Sequence, residues 1–180
     1  MLLLRLLYCL TFPDANNLTG TLPFELSVLS ALKIIWLDSG LEGVKNHFYG
    51  TIPSVYGSFS DLQMLYIGDT GLSGKIPDSL ANLKKLTHIN LGGNNLIGTI
   101  PAGIGNITGL KQVYFHDNQL TGTLPDTFCQ RSDLTYFLIQ QNNLTGSMEC
   151  ICSALNYTIS DQFFLSDCFS EIDCSCCYCS

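Results

Sequence analysis

A fixed spacing of prolines constrains this chain more than any other feature of its sequence. Pro53, Pro77, Pro101 and Pro125 follow one another at a single constant interval. Pro23 lies further from Pro53, by one such interval plus six residues. Repeats of about 20 to 50 residues are typical of solenoids, because one such unit cannot bury its apolar face alone and must stack on neighbours.

Each proline closes the same short phrase, in which an apolar residue and a glycine precede a second apolar residue. The phrase begins at Leu18, Phe48, Leu72, Leu96 and Leu120, and a sixth copy at Leu144 has Glu149 in place of the proline. Upstream of the phrase, apolar residues alternate with others, as in Ile89 and Leu91. The alternation predicts a short strand with one buried face, and the glycine and proline predict a turn after it.

The full pattern, L-x-x-L-x-L-x-x-N-x-L-x-G-x-I-P, is identified as the leucine-rich repeat. Its 24-residue form resembles the plant-type extracellular class over roughly residues 7–148. The resemblance implies an α/β, β-rich, right-handed solenoid with a parallel sheet on its concave side. It also implies two segments, a solenoid of about six coils at 1–149 and a disulfide-rich cap at 150–180. Receptor-like kinase ectodomains, receptor-like proteins and polygalacturonase-inhibiting proteins have this architecture.

A recurring asparagine in each copy points inward, where its amide needs hydrogen-bond partners. In leucine-rich repeats this asparagine bonds the backbone of adjacent coils, and the resemblance implies the same ladder here. Its predicted members are Asn94, Asn118 and Asn142, with Asn16 and Asn46 as further members. Thr70 takes the asparagine position in one coil, so we expect a weaker ladder there.

Two irregularities interrupt the pattern. Six extra residues fall within 38–47, and they predict a bulging loop that is either a tolerated insertion or a binding protrusion. At the start, Met1–Leu10 is either a signal peptide or part of a truncated repeat. We expect a truncated repeat, because the leucines there follow the phase of the repeat and no typical cleavage site is present.

Cysteines are concentrated at the end of the chain. Seven of the nine lie between Cys150 and Cys179. We expect the cysteines from 129 onward to form disulfides in a cap over the open end of the solenoid. They are Cys129, Cys150, Cys152, Cys168, Cys174, Cys176, Cys177 and Cys179. A metal cluster at 174–179 is the alternative, and Cys174 and Cys177 have the C-x2-C spacing of zinc modules. No such pair lies outside this tight group, so we predict disulfides and no metal site.

Four glycosylation sequons agree with an extracellular or cell-surface protein, although no signal peptide is convincing. They begin at Asn17, Asn106, Asn143 and Asn156. Two of them, at Asn17 and Asn143, arise from the repeat pattern itself, which contains the sequence N-N-L-T-G. The sequons at 106 and 156 do not follow from the repeat pattern.

Composition and motifs exclude several classes of function. The net charge of -7 argues against nucleic-acid binding, which needs clustered cations. The longest apolar run, Leu2–Leu10, is too short to span a membrane. The segment Gly71–Ile76 lacks the spacing of a phosphate-binding loop, and no catalytic signature is present. We therefore predict neither an enzyme nor a bound cofactor.

The positions between the strand leucines offer a recognition surface, because side chains alternate along a strand. The predicted concave binding residues are Trp36, Tyr66, Asp69, His88, Asn90, Tyr114, His116, Asp117 and Tyr136. Stacked coils should bring Trp36, Tyr66, Asn90, Tyr114 and Leu138 into one column. Because aromatic residues are enriched in binding hot spots, we predict a non-catalytic extracellular module for a protein, peptide or glycan.

A second interpretation uses the same solenoid differently, as an inhibitor of another enzyme or as a protein that binds a surface such as ice. Ice binding requires a flat and regular threonine array. The convex positions Thr21, Thr51, Thr99 and Thr123 are only partly regular, because Lys75 interrupts them.

Overall fold

The computed structural model describes residues 17–29, 31–38 and 45–147, together with the backbone of two short strands near the C-terminus. In chain order the strands are β1 (Thr19–Thr21), β2 (Ile34–Trp36), β3 (His47–Tyr49), β4 (Met64–Tyr66), β5 (Ser73–Lys75), β6 (His88–Asn90), β7 (Asn95–Gly98), β8 (Gln112–Tyr114), β9 (Gln119–Thr123), β10 (Tyr136–Leu138), β11 (Asn143–Ser147), β12 (Phe164–Leu165) and β13 (Ile172–Asp173). All of their pairings are parallel.

A helical turn follows each repeat proline. The turns are 3-10 helices at Phe24–Val28, Ser54–Ser58, Asp78–Asn82 and Asp126–Gln130, and a short α-helix, α1, at Ala102–Gly105. Each proline stands in extended conformation directly before its turn, with φ between -73 and -63. The pyrrolidine ring fixes φ in this range, so the proline sets the point at which each coil leaves the strand.

Two parallel sheets run along the solenoid. The first sheet has six strands in the order β12-β10-β8-β6-β4-β2. The second sheet comprises five strands in the order β13-β11-β9-β7-β5, and the Thr51–Ser73 bridge links it to the pair β1-β3. Between the sheets and the helical turns lies one continuous apolar core, with Leu65, Ile89 and Val113 fully buried. The fold class is therefore confirmed as an α/β leucine-rich-repeat solenoid.

Buried asparagines tie consecutive coils together. Asn118 Nδ2 lies 3.0 Å from the carbonyl oxygen of Leu91 in the preceding coil, and Asn118 Oδ1 accepts the Leu96 N–H at 2.9 Å. Asn142 repeats this arrangement one coil later, with the Phe115 carbonyl and the Leu120 N–H. Asn46 likewise accepts the Leu18 N–H at 2.9 Å. These bonds satisfy backbone groups that the apolar interior would otherwise leave unpaired.

Thr70 stands in the ladder position of its own coil, and Asn94 of the next coil compensates for it. Asn94 Oδ1 accepts the N–H groups of Gly71 and Leu72 at 3.0 and 2.9 Å, and Asn94 Nδ2 donates to the Ile67 carbonyl at 3.0 Å. The Thr70 hydroxyl also donates to the same Oδ1, at 3.0 Å. Asn94 therefore accepts more than one N–H group of the preceding coil, whereas Asn118 accepts one.

Arg131 departs from the repeat pattern. It occupies the position six residues after proline, where Leu83 and Ile107 are fully buried, yet it is itself only 6% exposed. Its guanidinium donates to the carbonyl oxygens of Ile107, Thr108 and Leu110 in the preceding coil. The buried cation therefore bonds the backbone where the other coils pack an apolar side chain.

The two sheets continue into the cysteine-rich segment, since β12 pairs with β10 and β13 with β11. Cys129 is disulfide-bonded, and every other cysteine of the chain lies outside the described residues. Also outside them are the predictions for Met1–Leu10, Asn16, the sequon at Asn156 and most of the inserted loop. Within the part of the chain that is described, no helix is long and apolar enough to cross a membrane.

Candidate functional site

The outward face of the first sheet carries two rows of side chains. The central residue of each strand, such as Ile35 or Val113, is buried in the core, so its neighbours face outward. One row runs through the register pairs Trp36–Tyr66, Tyr66–Asn90, Asn90–Tyr114 and Tyr114–Leu138. The other row contains Ile34, Met64, His88, Gln112 and Tyr136. The two rows together bring Trp36, Tyr66, His88, Asn90, Tyr114 and Tyr136 of the predicted binding residues onto one face.

Aromatic rings on this face pack against one another. The ring centroids of Trp36 and Tyr66 lie 4.9 Å apart, and those of Tyr66 and His88 lie 6.3 Å apart. Tyr114 and Tyr136 form a second, stacked pair at 6.1 Å. Because of this packing the tyrosines are only partly accessible, whereas Trp36 is 38% exposed. Asn90 separates the two aromatic groups along the row.

Partial burial also changes the ionisation of these side chains. Burial raises the pKa of Tyr114 to about 12, and the neighbouring Tyr66 and Tyr136 add to this rise. The Tyr114 hydroxyl donates to Gln112 Oε1 at 2.9 Å. Burial lowers the pKa of His88, so this imidazole is neutral at pH 7. The face is therefore uncharged at its centre and suited to apolar or hydrogen-bonding contacts.

A third row follows the strand ends and contains two glycines. Its members are Asp38, Gly68, Gly92, His116 and Gln140, which share one position of the repeat. A Cβ atom on Gly68 would lie 2.8 Å from both side-chain amide atoms of Asn90, and one on Gly92 would lie 2.5 Å from His116 Nε2. The glycines therefore leave the space that Asn90 and His116 occupy.

The repeat pattern places Asp38 on the concave face, but the predicted binding residues do not include it. Its side chain lies within reach of Asn90, whose Nδ2 is 3.4 Å from Asp38 Oδ2, while Oδ1 is buried without a hydrogen-bond partner among the described residues. Burial raises the pKa of this carboxyl group to about 6, and hydrogen bonds from Trp36 and Asn90 oppose the rise. In the sequence, Asp38 is an acidic residue at a repeat position that holds glycine, Gly68 and Gly92, in the next two coils.

The other predicted acidic and imidazole groups lie beside these rows. Asp69 and Asp117 have left-handed backbone, with φ of 52 for each, and both are exposed. Lys45 Nζ lies 3.9 Å from Asp69 Oδ1, and His116 Nδ1 lies 2.7 Å from Asp117 Oδ2. Within 17–29, 31–38 and 45–147, no three acidic, histidine or cysteine side chains are placed to hold a metal ion.

Three predicted glycosylation residues, Asn17, Asn106 and Asn143, are exposed and so accessible from solvent. Asn106 ends α1, whereas Asn143 begins β11. Attachment of a glycan at any of them stays a prediction.

Comparison with known proteins gives the family. A model described as Leucine Rich repeats (2 copies) matches residues 60–106, and one described as Leucine Rich Repeat matches residues 109–130. No curated protein sequence gives a significant match. The repeats in both sequence and structure define the chain as a leucine-rich-repeat protein.

Solved structures show which leucine-rich-repeat proteins the chain resembles. The plant peptide hormone receptor RGFR1, solved with RGF2, is 29% identical with a TM-score of 0.68, and the match covers 76% of this chain and 21% of the receptor chain. A plant ice-binding protein is 30% identical with a TM-score of 0.71, over 88% of this chain and 47% of that one. The BIR2 ectodomain from Arabidopsis thaliana is 27% identical with a TM-score of 0.63, over 80% of this chain and 69% of that chain. The chain is similar in repeat pattern and fold to leucine-rich-repeat proteins of the plant extracellular type, and it spans about a fifth of the peptide hormone receptor.

Proposed function

We propose that this chain is a non-catalytic, extracellular or cell-surface recognition module that binds a peptide or protein on the outward face of its first sheet. The observation that carries the proposal is one row of side chains at the same position on four neighbouring strands. The row consists of Trp36, Tyr66, Asn90 and Tyr114. Large planar side chains bury much area on binding and lose little rotamer entropy, which is why they dominate binding hot spots.

The structural relatives support this proposal. RGFR1 is described as a peptide hormone receptor, and its likeness to this chain covers 76% of the chain. The half-buried, mutually packed rings are already fixed in position before a ligand arrives, so binding costs little ordering entropy. A glycan ligand would stack on the same rings. A screen with peptides would not detect such a ligand.

An array of random peptides of roughly 12 residues tests the proposal, since such a peptide is long enough to cross five strands about 4.8 Å apart. For peptides that bind the wild-type chain, we expect Tyr66→Ala or Tyr114→Ala to weaken binding by about 2 kcal/mol. Tyr49→Ala is the matched control, because Tyr49 is 61% exposed on β3, which pairs with β1 and lies outside the first sheet.

Two results would contradict the proposal. In one, the peptides bind both first-sheet variants as tightly as the wild type. In the other, Tyr49→Ala is the variant that loses binding. A glycan array run with the same three variants covers the saccharide form of the proposal. Loss of binding only after changes in the inserted loop would move the site to that loop.

A specific observation favours a second candidate function, the binding of an ordered surface such as ice. Thr51, Thr99 and Thr123 are exposed on the second sheet, and the methyl of each packs on the glycine of the next coil. A Cβ atom on Gly122, for example, would lie 2.9 Å from Thr99 Cγ2. The likeness to a plant ice-binding protein agrees with this candidate. Lys75 breaks the threonine row, and for that reason we place the candidate second.

Completing the row tests this second candidate. If the second sheet binds ice, Lys75→Thr should strengthen the inhibition of ice recrystallisation, and Thr99→Lys should weaken it. Lys84→Thr is a control, because Lys84 is exposed near a helical turn away from the row. No inhibition by the wild type and none by Lys75→Thr would reject ice binding and leave the peptide proposal untouched.

A further inference from the structure

One corner of the first sheet combines an aromatic pair with a carboxylate. Trp36 and Tyr66 are register partners with rings 4.9 Å apart, and Asp38 follows Trp36 by two residues on the same side of the chain. Asn90 reaches this corner from two coils away, because Gly68 has no side chain to block it. The four side chains Trp36, Asp38, Tyr66 and Asn90 are called the Asp38 corner below.

The carboxylate of the Asp38 corner has no charged partner in the described part of the chain. Asp38 makes no ion pair there, and Lys45 lies beside Asp69 instead. Its side-chain donors are Trp36 and Asn90 Nδ2, the latter at a long 3.4 Å, and Oδ1 is buried without a partner among the described residues. Both donors are neutral, so a ligand that brings a positive charge gains a charge interaction that these residues do not supply.

The rings decide which cation fits. An aromatic face attracts a cation within about 6 Å of its centre, and tryptophan does so most strongly. A guanidinium group can stack flat on such a face while its edge N–H groups donate to a neighbouring carboxylate, whereas an ammonium group has no flat face to stack. The net charge of -7 favours the approach of a positively charged ligand.

We propose that the Asp38 corner binds a guanidinium group, such as the side chain of an arginine in a peptide or protein ligand. This inference rests on the proposed function of the first sheet and names the chemistry of one contact there. The guanidinium stacks on the exposed face of Trp36 and donates to the Asp38 carboxylate, next to the Asn90 amide.

Ionisation of the carboxylate makes this contact dependent on pH. With a pKa of about 6, only about a tenth of Asp38 is ionised at pH 5, whereas nearly all of it is ionised at pH 7.5. Asp69 with its partner Lys45, Tyr66, and His88 behind Tyr66 are the other charged or titratable groups that the described residues place around the corner. Asp69 raises the pKa of Asp38, in the same direction as burial.

The only tryptophan of the chain is Trp36, so its fluorescence reports directly on the Asp38 corner. The probe is N-acetyl-L-arginine amide, titrated into the full chain, with saturation-transfer NMR of the probe as a second readout. We expect a saturable change with millimolar affinity at pH 7.5 that weakens by about tenfold at pH 5. Asp38→Asn should weaken binding by about tenfold or more and remove the pH dependence. Asp78→Asn, an exposed acid in a helical turn, should change neither.

Two related probes make the test specific. N-acetyl-L-citrulline amide has the same shape without the charge, and N-acetyl-L-lysine amide has the charge without the plane, so both should bind more weakly than the arginine probe. Equal binding of either probe, unchanged binding by Asp38→Asn, or no response of the wild type in both readouts would overturn the inference. If array peptides still bind through Tyr66 and Tyr114 in that case, the recognition proposal stands without the guanidinium contact.

Discussion

Substitution of Asn94 tests how the coils are held together. Asn94→Ala removes the partner of the Leu72 N–H at 2.9 Å, of the Gly71 N–H at 3.0 Å and of the Ile67 carbonyl at 3.0 Å. Leu72 and Ile67 are fully buried, so water cannot replace the lost bonds there. At about 1 kcal/mol for each of these three lost bonds, we expect the free energy of unfolding to fall by about 3 kcal/mol.

The neighbouring residue supplies the matched control. Asn95 has the same side chain but is exposed in β7, so Asn95→Ala should change the free energy of unfolding by less than about 0.5 kcal/mol. Asn118→Ala should fall between the two, at about 2 kcal/mol, because Asn118 bonds one N–H and one carbonyl of the preceding coil. Urea unfolding followed by circular dichroism measures all three. Equal losses for Asn94 and Asn95 variants would refute the ladder, and equal losses for Asn94 and Asn118 variants would refute compensation for Thr70.

Three further predictions concern the buried arginine, the half-buried aspartate and the cysteines. Arg131→Ala should cost about 3 kcal/mol in urea unfolding, because buried carbonyl groups lose a charged donor, while Lys111→Ala at an exposed ion pair should cost less than about 0.5 kcal/mol. Because burial raises the pKa of Asp38 in the folded chain, the wild type loses stability as pH rises from about 4 to 6. Asp38→Asn should therefore raise the thermal midpoint of unfolding by about 2–4 °C at pH 7.5 and hardly change it at pH 4. Thiol counting on the unreduced chain should give about one free thiol at most from nine cysteines, and mostly free or zinc-bound thiols would contradict a disulfide cap.

The register of the first sheet follows from the sequence. A constant period and strict alternation leave one way to stack the strands, so the repeat pattern alone predicts the column from Trp36 to Leu138. The second sheet was not predictable in the same way. Two residues that pair between neighbouring strands of this sheet, such as Ser73 and Asn95, are separated in the chain by two residues less than a full repeat. The path of each turn shifts the pairing in this way.

The environments of individual polar residues also lay beyond sequence reasoning. The position of Arg131 holds a buried apolar side chain in the two preceding coils, and nothing local in the sequence shows that carbonyl groups of the preceding coil converge on it. Asp38 is similar, since burial raises its pKa and Asn90 reaches its carboxylate across Gly68, where it opposes the rise. Contacts between coils decide both cases, and they involve residues far apart in the chain.

Hydroxyl-radical footprinting with a peptide selected from the array tests the central claim most directly. The label reports solvent access at aromatic side chains, which are present on the first sheet and on the pair β1-β3. The account predicts that the bound peptide protects Trp36, Tyr66 and Tyr114 and leaves Tyr49 unchanged. Protection of Tyr49 with unchanged labelling of the first-sheet aromatics would contradict it, because the ligand would then lie on the pair β1-β3.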